Sequence, residues 1–204
     1  MQKTVVTFAG SAASPRQFPR DGLPEVAFLG RSNVGKSSLL NALAGVQSLA
    51  KVSSKPGRTR LVNFFRFGNE FYLADLPGYG YARVAESVRG GWEALVRSYL
   101  EGREPLALCI FLVDARREAT ESDFMLRDYL DAHCLPYVLA ATKADTLPRY
   151  EVPKRKEAFE KSLGEGARDV VAVSSTTGSG LKELWTTIRA AVSEPPGGEK
   201  SHGR

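Results

Sequence analysis

Eight residues near the start of the chain, Gly30-Arg31-Ser32-Asn33-Val34-Gly35-Lys36-Ser37, limit the possible fold more than any other feature. They fit the pattern GxxxxGK[ST]. Before them stands an apolar run, EVAFLG; after them KSSLLNALAG carries leucines at helical spacing and stops at Gly45. A strand, a glycine-rich turn and a helix in that order point backbone N–H groups inward at a helix N-terminus, where they cradle phosphate. Lys36 then reaches the β- and γ-phosphates, and the Ser37 hydroxyl is placed to ligate Mg²⁺. Gly30 and Gly35 stand where a side chain would obstruct the turn.

The rest of the chain repeats the strand–helix alternation. LVNFFRF and EFYLADL flank Gly68-Asn69 and predict a hairpin. Trp92, Leu95, Val96, Tyr99 and Leu100 share a helical face. Leu106–Asp114 is a fully apolar strand, and residues 120–134 a helix with Thr120 as N-cap and Asp123 three residues on. Tyr137–Ala141 and Asp169–Ser174 predict strands. Residues 152–163 and a stripe of Leu181, Leu184, Trp185, Ile188, Ala191 and Val192 predict helices. Buried strands alternating with amphipathic helices require a parallel sheet covered on both faces. The hairpin adds one antiparallel strand. Residues 1–24, broken by Pro15, Pro19 and Pro24, are expected to be an extended basic arm. Residues 25–193 form one domain, and 194–204 a disordered tail.

Ligands of such sheets bind beyond the carboxyl ends of the strands, and three further motifs fall there. Asp75-Leu76-Pro77-Gly78 follows EFYLA; the acid can hold Mg²⁺ through water, and the Gly78 N–H can meet a γ-phosphate. Thr142-Lys143-Ala144-Asp145 follows YVLAA. A carboxylate at Asp145 accepts from guanine N1–H and the exocyclic amine together, a donor pair that adenine lacks. The Lys143 stem can lie over the base. Ser174-Ser175-Thr176-Thr177-Gly178 follows the last strand, where backbone N–H groups can meet guanine O6. The long basic loop 46–60 connects the first helix to the next strand; a loop of this length inside a compact domain is usually functional. Its Thr59 is the candidate to complete the Mg²⁺ shell when γ-phosphate is present.

Composition narrows the class further. At 25% charged and 43% hydrophobic residues, the 204-residue chain has the make-up of a globular domain. The longest apolar run, Leu106 to Val113, is far short of the roughly 20 residues of a membrane span. Neither a signal peptide nor a C-terminal prenylation cysteine is expected. Cys109 and Cys134 are expected to be reduced thiols of a cytoplasmic protein. Of the net charge of +5, residues 1–60 hold +7 and the remainder −2, a footprint suited to phosphate or nucleic acid.

Taken together, GRSNVGKSSLLNAL, KPGRTRLVNFF, DLPGYGYA, TKAD and SSTTG resemble the EngB family in the translation-factor class of P-loop GTPases. The resemblance spans residues 5–193. It implies a three-layer α/β, Ras-like P-loop GTPase fold with a six-stranded, mostly parallel sheet, one antiparallel strand and helices on both faces. It also implies hydrolysis of GTP to GDP with Mg²⁺, and a switch acting with the large ribosomal subunit or its precursor (rRNA and ribosomal proteins). A role in normal cell division and septation is implied too. The alternative is a switch that binds protein directly at the septum without RNA. A monomer is expected.

By the same resemblance the nucleotide is lined by Gly30, Arg31, Ser32, Asn33, Val34, Gly35, Lys36, Ser37 and Ser38. Gly57, Arg58, Thr59, Arg60 and Leu61 add to the lining, with Asp75, Leu76, Pro77 and Gly78. Thr142, Lys143, Ala144 and Asp145 join Val173, Ser174 and Ser175 around the base. The metal set is Ser37, Thr59 and Asp75. Lys36, Thr59, Gly78 and Asn33 are the candidates for catalysis.

Two positions depart from the pattern common among such GTPases. Tyr79 stands where many have a water-orienting Gln, and a phenol cannot copy a carboxamide. Slow intrinsic hydrolysis is therefore expected, helped by the ribosome or by K⁺ at Asn33. Thr142 stands where many have Asn; it keeps a hydroxyl but loses an amide, so guanine preference rests on Asp145. Lys51, Lys55, Arg58 and Arg60 are candidate RNA contacts, as are Arg116-Arg117 and Lys154-Arg155-Lys156.

Overall fold

The structure, a computed structural model, describes residues 5–46, 49, 61–79 and 94–194. Strands β1 (Val6–Ala12), β2 (Glu25–Gly30), β3 (Val62–Phe67), β4 (Phe71–Asp75), β5 (Leu106–Asp114), β6 (Tyr137–Thr142) and β7 (Val170–Ala172) form one sheet. Their order is β1-β3-β4-β2-β5-β6-β7. The pairs β2–β4, β2–β5, β5–β6 and β6–β7 are parallel, whereas β3 is antiparallel to both β1 and β4. One strand of the sheet thus runs against all the others, as expected from the hairpin.

The sheet has seven strands, not six. The addition is β1, inside the segment read as an extended arm. Val6–Ala12 pairs along β3 with a register shift between Phe8 and Gly10. Its own residues alternate poorly because the strand is an edge: Phe8 remains 57% exposed. Its order comes from hydrogen bonds to β3, which lies more than 50 residues away, and no local signal reports such pairing.

β2 and β6 are buried along their whole length, the condition for near-continuous apolar runs. Alternate residues serve opposite faces. Val26, Phe28, Ile110, Leu112 and Val138 pack with helices α1 (Lys36–Ala44) and α5 (Leu181–Ser193) through Leu39, Leu40, Leu43, Leu184 and Ile188. Ala27, Leu29, Cys109, Phe111 and Leu139 pack on the other face. There they meet α2, of which residues 94–100 are described, α3 (Glu121–Ala132) and α4 (Glu151–Leu163), through Tyr99, Leu100, Leu130, Phe159 and Leu163. Trp185 packs edge-on against Phe67, so it belongs to the core. Trp92 lies outside the described residues, as do Lys51, Lys55 and most of the tail.

Both ends of α1 obey their local signals. Gly35 is its N-cap at φ 107°, and Gly45 closes it at φ 65°, donating to Ala42 and Asn41 carbonyls. α3 opens with the expected reciprocal cap: Thr120 and Asp123 each bond the other's backbone N–H. At the opposite end of β2 from the phosphate loop, buried Glu25 is paired with Arg103 and accepts from the Tyr99 hydroxyl. That cluster anchors α2 to the start of β2.

Candidate nucleotide-binding site

The phosphate loop runs from the end of β2 to the start of α1, and its shape is enforced by its neighbours. A Cβ on Gly30 would stand 3.0 Å from Leu112 Cβ, Leu112 O and Val34 Cγ1, so a side chain there would crowd both the β2–β5 packing and the loop itself. Asn33 takes a left-handed φ of 63°, which Asn tolerates better than most residues.

The carbonyls of Asn33 and Val34 are both held by residues at the end of β6 and just after it. Lys143 Nζ donates to the Asn33 carbonyl at 2.7 Å. The Thr142 hydroxyl lies 2.6 Å from the Val34 carbonyl and 3.0 Å from that of Val113, sharing its one hydrogen between them. In a trans peptide the carbonyl and the following N–H point in opposite directions. Turning the Val34 carbonyl toward Thr142 therefore turns the Gly35 N–H the other way, into the loop. Thr142 thus keeps the tie that an Asn at this position is expected to make.

Gly78 lies directly against this loop. A Cβ there would meet Ser32 N at 3.1 Å and Gly30 O at 3.2 Å. Next to it, Tyr79 N donates to Gly30 O at 3.3 Å, and Ser32 N donates to Tyr79 O at 3.0 Å, which makes a short parallel bridge between Arg31 and Tyr79. The Tyr79 phenol points away, to Asp123 at the start of α3. Burial, and then the Asp123 charge, push its ionisation far above the usual tyrosine range, so it stays a hydrogen-bond donor.

Lys36 and Asp75 form a largely buried ion pair across the same space. Ser37 stands next to Lys36 in the first turn of α1, half-buried. A hydroxyl and a carboxylate are hard oxygen donors of the kind that Mg²⁺ prefers, so the residues present fit that ion.

On the base side, Asp145 lies in a single 3₁₀ turn, Ala144–Thr146, exposed and without a side-chain hydrogen bond among the described residues. Ala144 N donates to Val173 O at 3.2 Å, which joins this loop to the segment after β7. There the Ser174 hydroxyl accepts from the N–H groups of Thr176 and Thr177 and holds the turn in place. Leu76, Pro77, Ser175 and Ser38 lie in these same loops and in the first turn of α1. Gly57, Arg58, Thr59 and Arg60 lie outside the described residues. Leu61 sits just before β3.

Sequence reasoning missed Asp114, and it read Asp123 only as part of the α3 cap, without its bond to Tyr79. Asp114 ends β5 and accepts from Lys143 Nζ at 2.9 Å and from Arg116 through both oxygens. Burial raises its carboxyl, but the bonds from Arg116 and Lys143 outweigh that and hold it well below the usual carboxylate range. Its place at the carboxyl end of a parallel strand was the available signal. The RNA candidates on α4 are partly neutralised, since Arg155 pairs with Glu118 and Lys156 approaches Glu160 and Glu183.

Residues 25–143 match the family model described as "50S ribosome-binding GTPase". The chain is 45% identical over 192 residues to "Probable GTP-binding protein EngB" of Solibacter usitatus, covering 94% of this chain and 98% of that one. It is 41% identical to the protein of the same name from Syntrophus aciditrophicus, covering 95% and 98%. Among solved structures, one of an engB GTP-binding protein superposes with a TM-score of 0.67 at 21% identity, covering 83% of this chain and 98% of that one. The G domain of the T. maritima FeoB iron transporter superposes with a TM-score of 0.55 at 31% identity, covering 84% and 99%. With the phosphate loop, Gly78 and the loop after β6 locked into one unit, and relatives alike over nearly their full length, the chain belongs to the EngB family of GTP-binding proteins and is a GTPase.

Proposed function

We propose that this GTPase is a Mg²⁺-dependent switch in the assembly of the large ribosomal subunit. The observation that carries the ribosomal part is the match of residues 25–143 to a family described by ribosome binding. The strongly basic first 60 residues support it, because a net +7 suits an rRNA phosphate surface. The cytoplasm is the compartment that goes with this role; among the described residues no helix is long and apolar enough to cross a membrane.

The geometry supports the switch. Lys36 and Asp75 neutralise each other across the phosphate space. When Lys36 extends to the β- and γ-phosphates, the Asp75 carboxylate is released to act with Ser37 and Thr59 toward the metal. Bound there, Mg²⁺ supplies neutralisation of phosphate charge. Gly78 N–H meets the γ-phosphate, and because Tyr79 is zipped to Arg31 and Ser32, that contact and the phosphate loop move together. The phenol is turned to Asp123, so Tyr79 orients no water and intrinsic hydrolysis is slow. The missing group comes from the ribosome or from K⁺ beside Asn33. A septation defect then follows from starved translation. The direct septal protein switch is the other reading.

The experiment is co-sedimentation with purified ribosomal subunits in GDP, in a non-hydrolysable GTP analogue and without nucleotide. Binding to the large subunit confined to the GTP form is expected. Absence of binding in every state, with division proteins captured from cells, would replace the ribosomal role by the septal one.

A further inference from the structure

Asp114 is a partly buried carboxylate to which none of the nucleotide motifs assigns a task, and its surroundings are built. Its side chain is 13% exposed at the end of β5. Arg116 donates to both oxygens, Nε to Oδ1 at 2.9 Å and a terminal nitrogen to Oδ2 at 2.7 Å, and the Arg116 backbone N–H adds a bond to Oδ1 at 3.1 Å. Three bonds fix the rotation of the carboxylate. Its Oδ2 is then left facing Lys143 Nζ at 2.9 Å, and the same ammonium caps the Asn33 carbonyl at 2.7 Å.

We propose that Asp114, clamped by Arg116, is a positioning residue for the nucleotide: it holds the Lys143 ammonium on the phosphate-loop carbonyl of Asn33. This rests on the nucleotide site described above. The physical reason is the freedom of a lysine. Its ammonium sits on four methylene groups, and one neutral carbonyl is a weak hold; without a counter-charge it swings toward water. Two consequences follow in this chain. The Lys143 stem loses the fixed course on which the base is to lie. Asn33, left-handed at φ 63°, loses the bond from Lys143 to its carbonyl and relaxes, and the phosphate loop relaxes with it. Asp114 reaches the nucleotide only through Lys143, so its effect has to vanish when Lys143 is removed.

The test is a double-mutant cycle on the full chain, with binding of a fluorescent N-methylanthraniloyl-GDP as the readout and the thermal midpoint without nucleotide as the control. D114N is expected to weaken binding about tenfold, as expected when a partly desolvated, charge-assisted bond loses its charge. In a K143M background the same substitution is expected to change binding less than about twofold, since the coupling is then gone. R116Q, which keeps the carboxylate but removes its clamp, is expected to weaken binding about threefold, again only where Lys143 is present; it serves as the reading if D114N does not fold. Unchanged binding in D114N, or equal losses with and without Lys143, would overturn the proposal and leave Asp114 a purely structural residue. A wild-type chain that failed to bind the analogue would overturn the nucleotide site itself, and this inference with it.

Discussion

The Tyr79 phenol donates a 2.9 Å hydrogen bond to Oδ1 of Asp123, while Oδ2 of that carboxylate accepts from the Thr120 backbone N–H and hydroxyl. One buried acid therefore both caps α3 and anchors the residue after Gly78. Tyr79→Phe removes the anchor and keeps the ring. Stability is expected to fall by about 1.5–3 kcal/mol, the scale of a bond to a charged acceptor. Amide exchange in the first turn of α3 is expected to speed up. Urea titration and hydrogen exchange check this; unchanged exchange at residues 121–124 would show that the phenol and the cap act independently.

Asp145, the proposed determinant of guanine selectivity, is exposed in the loop after β6 with its carboxylate unengaged among the described residues. Asp145→Asn is expected to shift preference from guanine toward xanthine nucleotides by roughly a hundredfold or more, because a site built for a donor pair rejects a base lacking it. Competition binding with GDP and XDP measures it, and retained guanine preference contradicts the assignment.

The Thr142 hydroxyl is the side-chain bond that holds the Val34 carbonyl. Thr142→Ala is expected to weaken GDP binding roughly five- to tenfold, within the usual net value of one hydrogen bond. Thr142→Ser, which keeps the hydroxyl, is expected to stay close to wild type. Equal behaviour of the two variants in calorimetry would remove the role of the tie.

Asn33 is exposed, left-handed and held through its backbone carbonyl by Lys143, and among the described residues its amide side chain has no hydrogen bond. GTP hydrolysis is expected to run faster in KCl than in NaCl at matched ionic strength, and Asn33→Ala to abolish the difference. Equal rates for the wild type in the two salts would sink the cation role.

Cys109 is fully buried in β5, and burial pushes its thiol up to about 12 from 9.0. A group whose pKa is raised on folding adds stability below its unfolded value and loses it as pH rises toward the folded one. The protein is therefore expected to lose stability between about pH 9 and pH 12. Cys109→Ala is expected to flatten that decline by up to about 1.4 kcal/mol per pH unit, at the expense of a small cavity penalty at neutral pH. Alkaline urea titrations check the slope. A native thiol assay should find exposed Cys134 alone.

The periodic and punctuating signals settled much of the molecule. The glycine ends of α1, the Thr120 cap, the hairpin at Gly68-Asn69 and the buried run Leu106–Asp114 stand where local chemistry puts them. Each depends on neighbours within a few residues, where sequence and conformation are tightly linked. The phosphate loop was legible for the same reason: its function is carried by backbone geometry that particular residue types permit at a fixed spacing. What holds that loop in shape was legible only in part. A hydroxyl tie from Thr142 was expected and reaches Val34 across 108 positions; the bond of Lys143 to Asn33 across 110 and that of Tyr79 to Asp123 across 44 were not. β1 likewise exists only because β3 offers it an edge. A threonine, a lysine or an aspartate has the same donors and acceptors wherever it stands. Which of them meet is decided by how the strands are ordered in the sheet, so the partners of Asp114, and the meeting of Asp123 with Tyr79, emerge only from the folded chain.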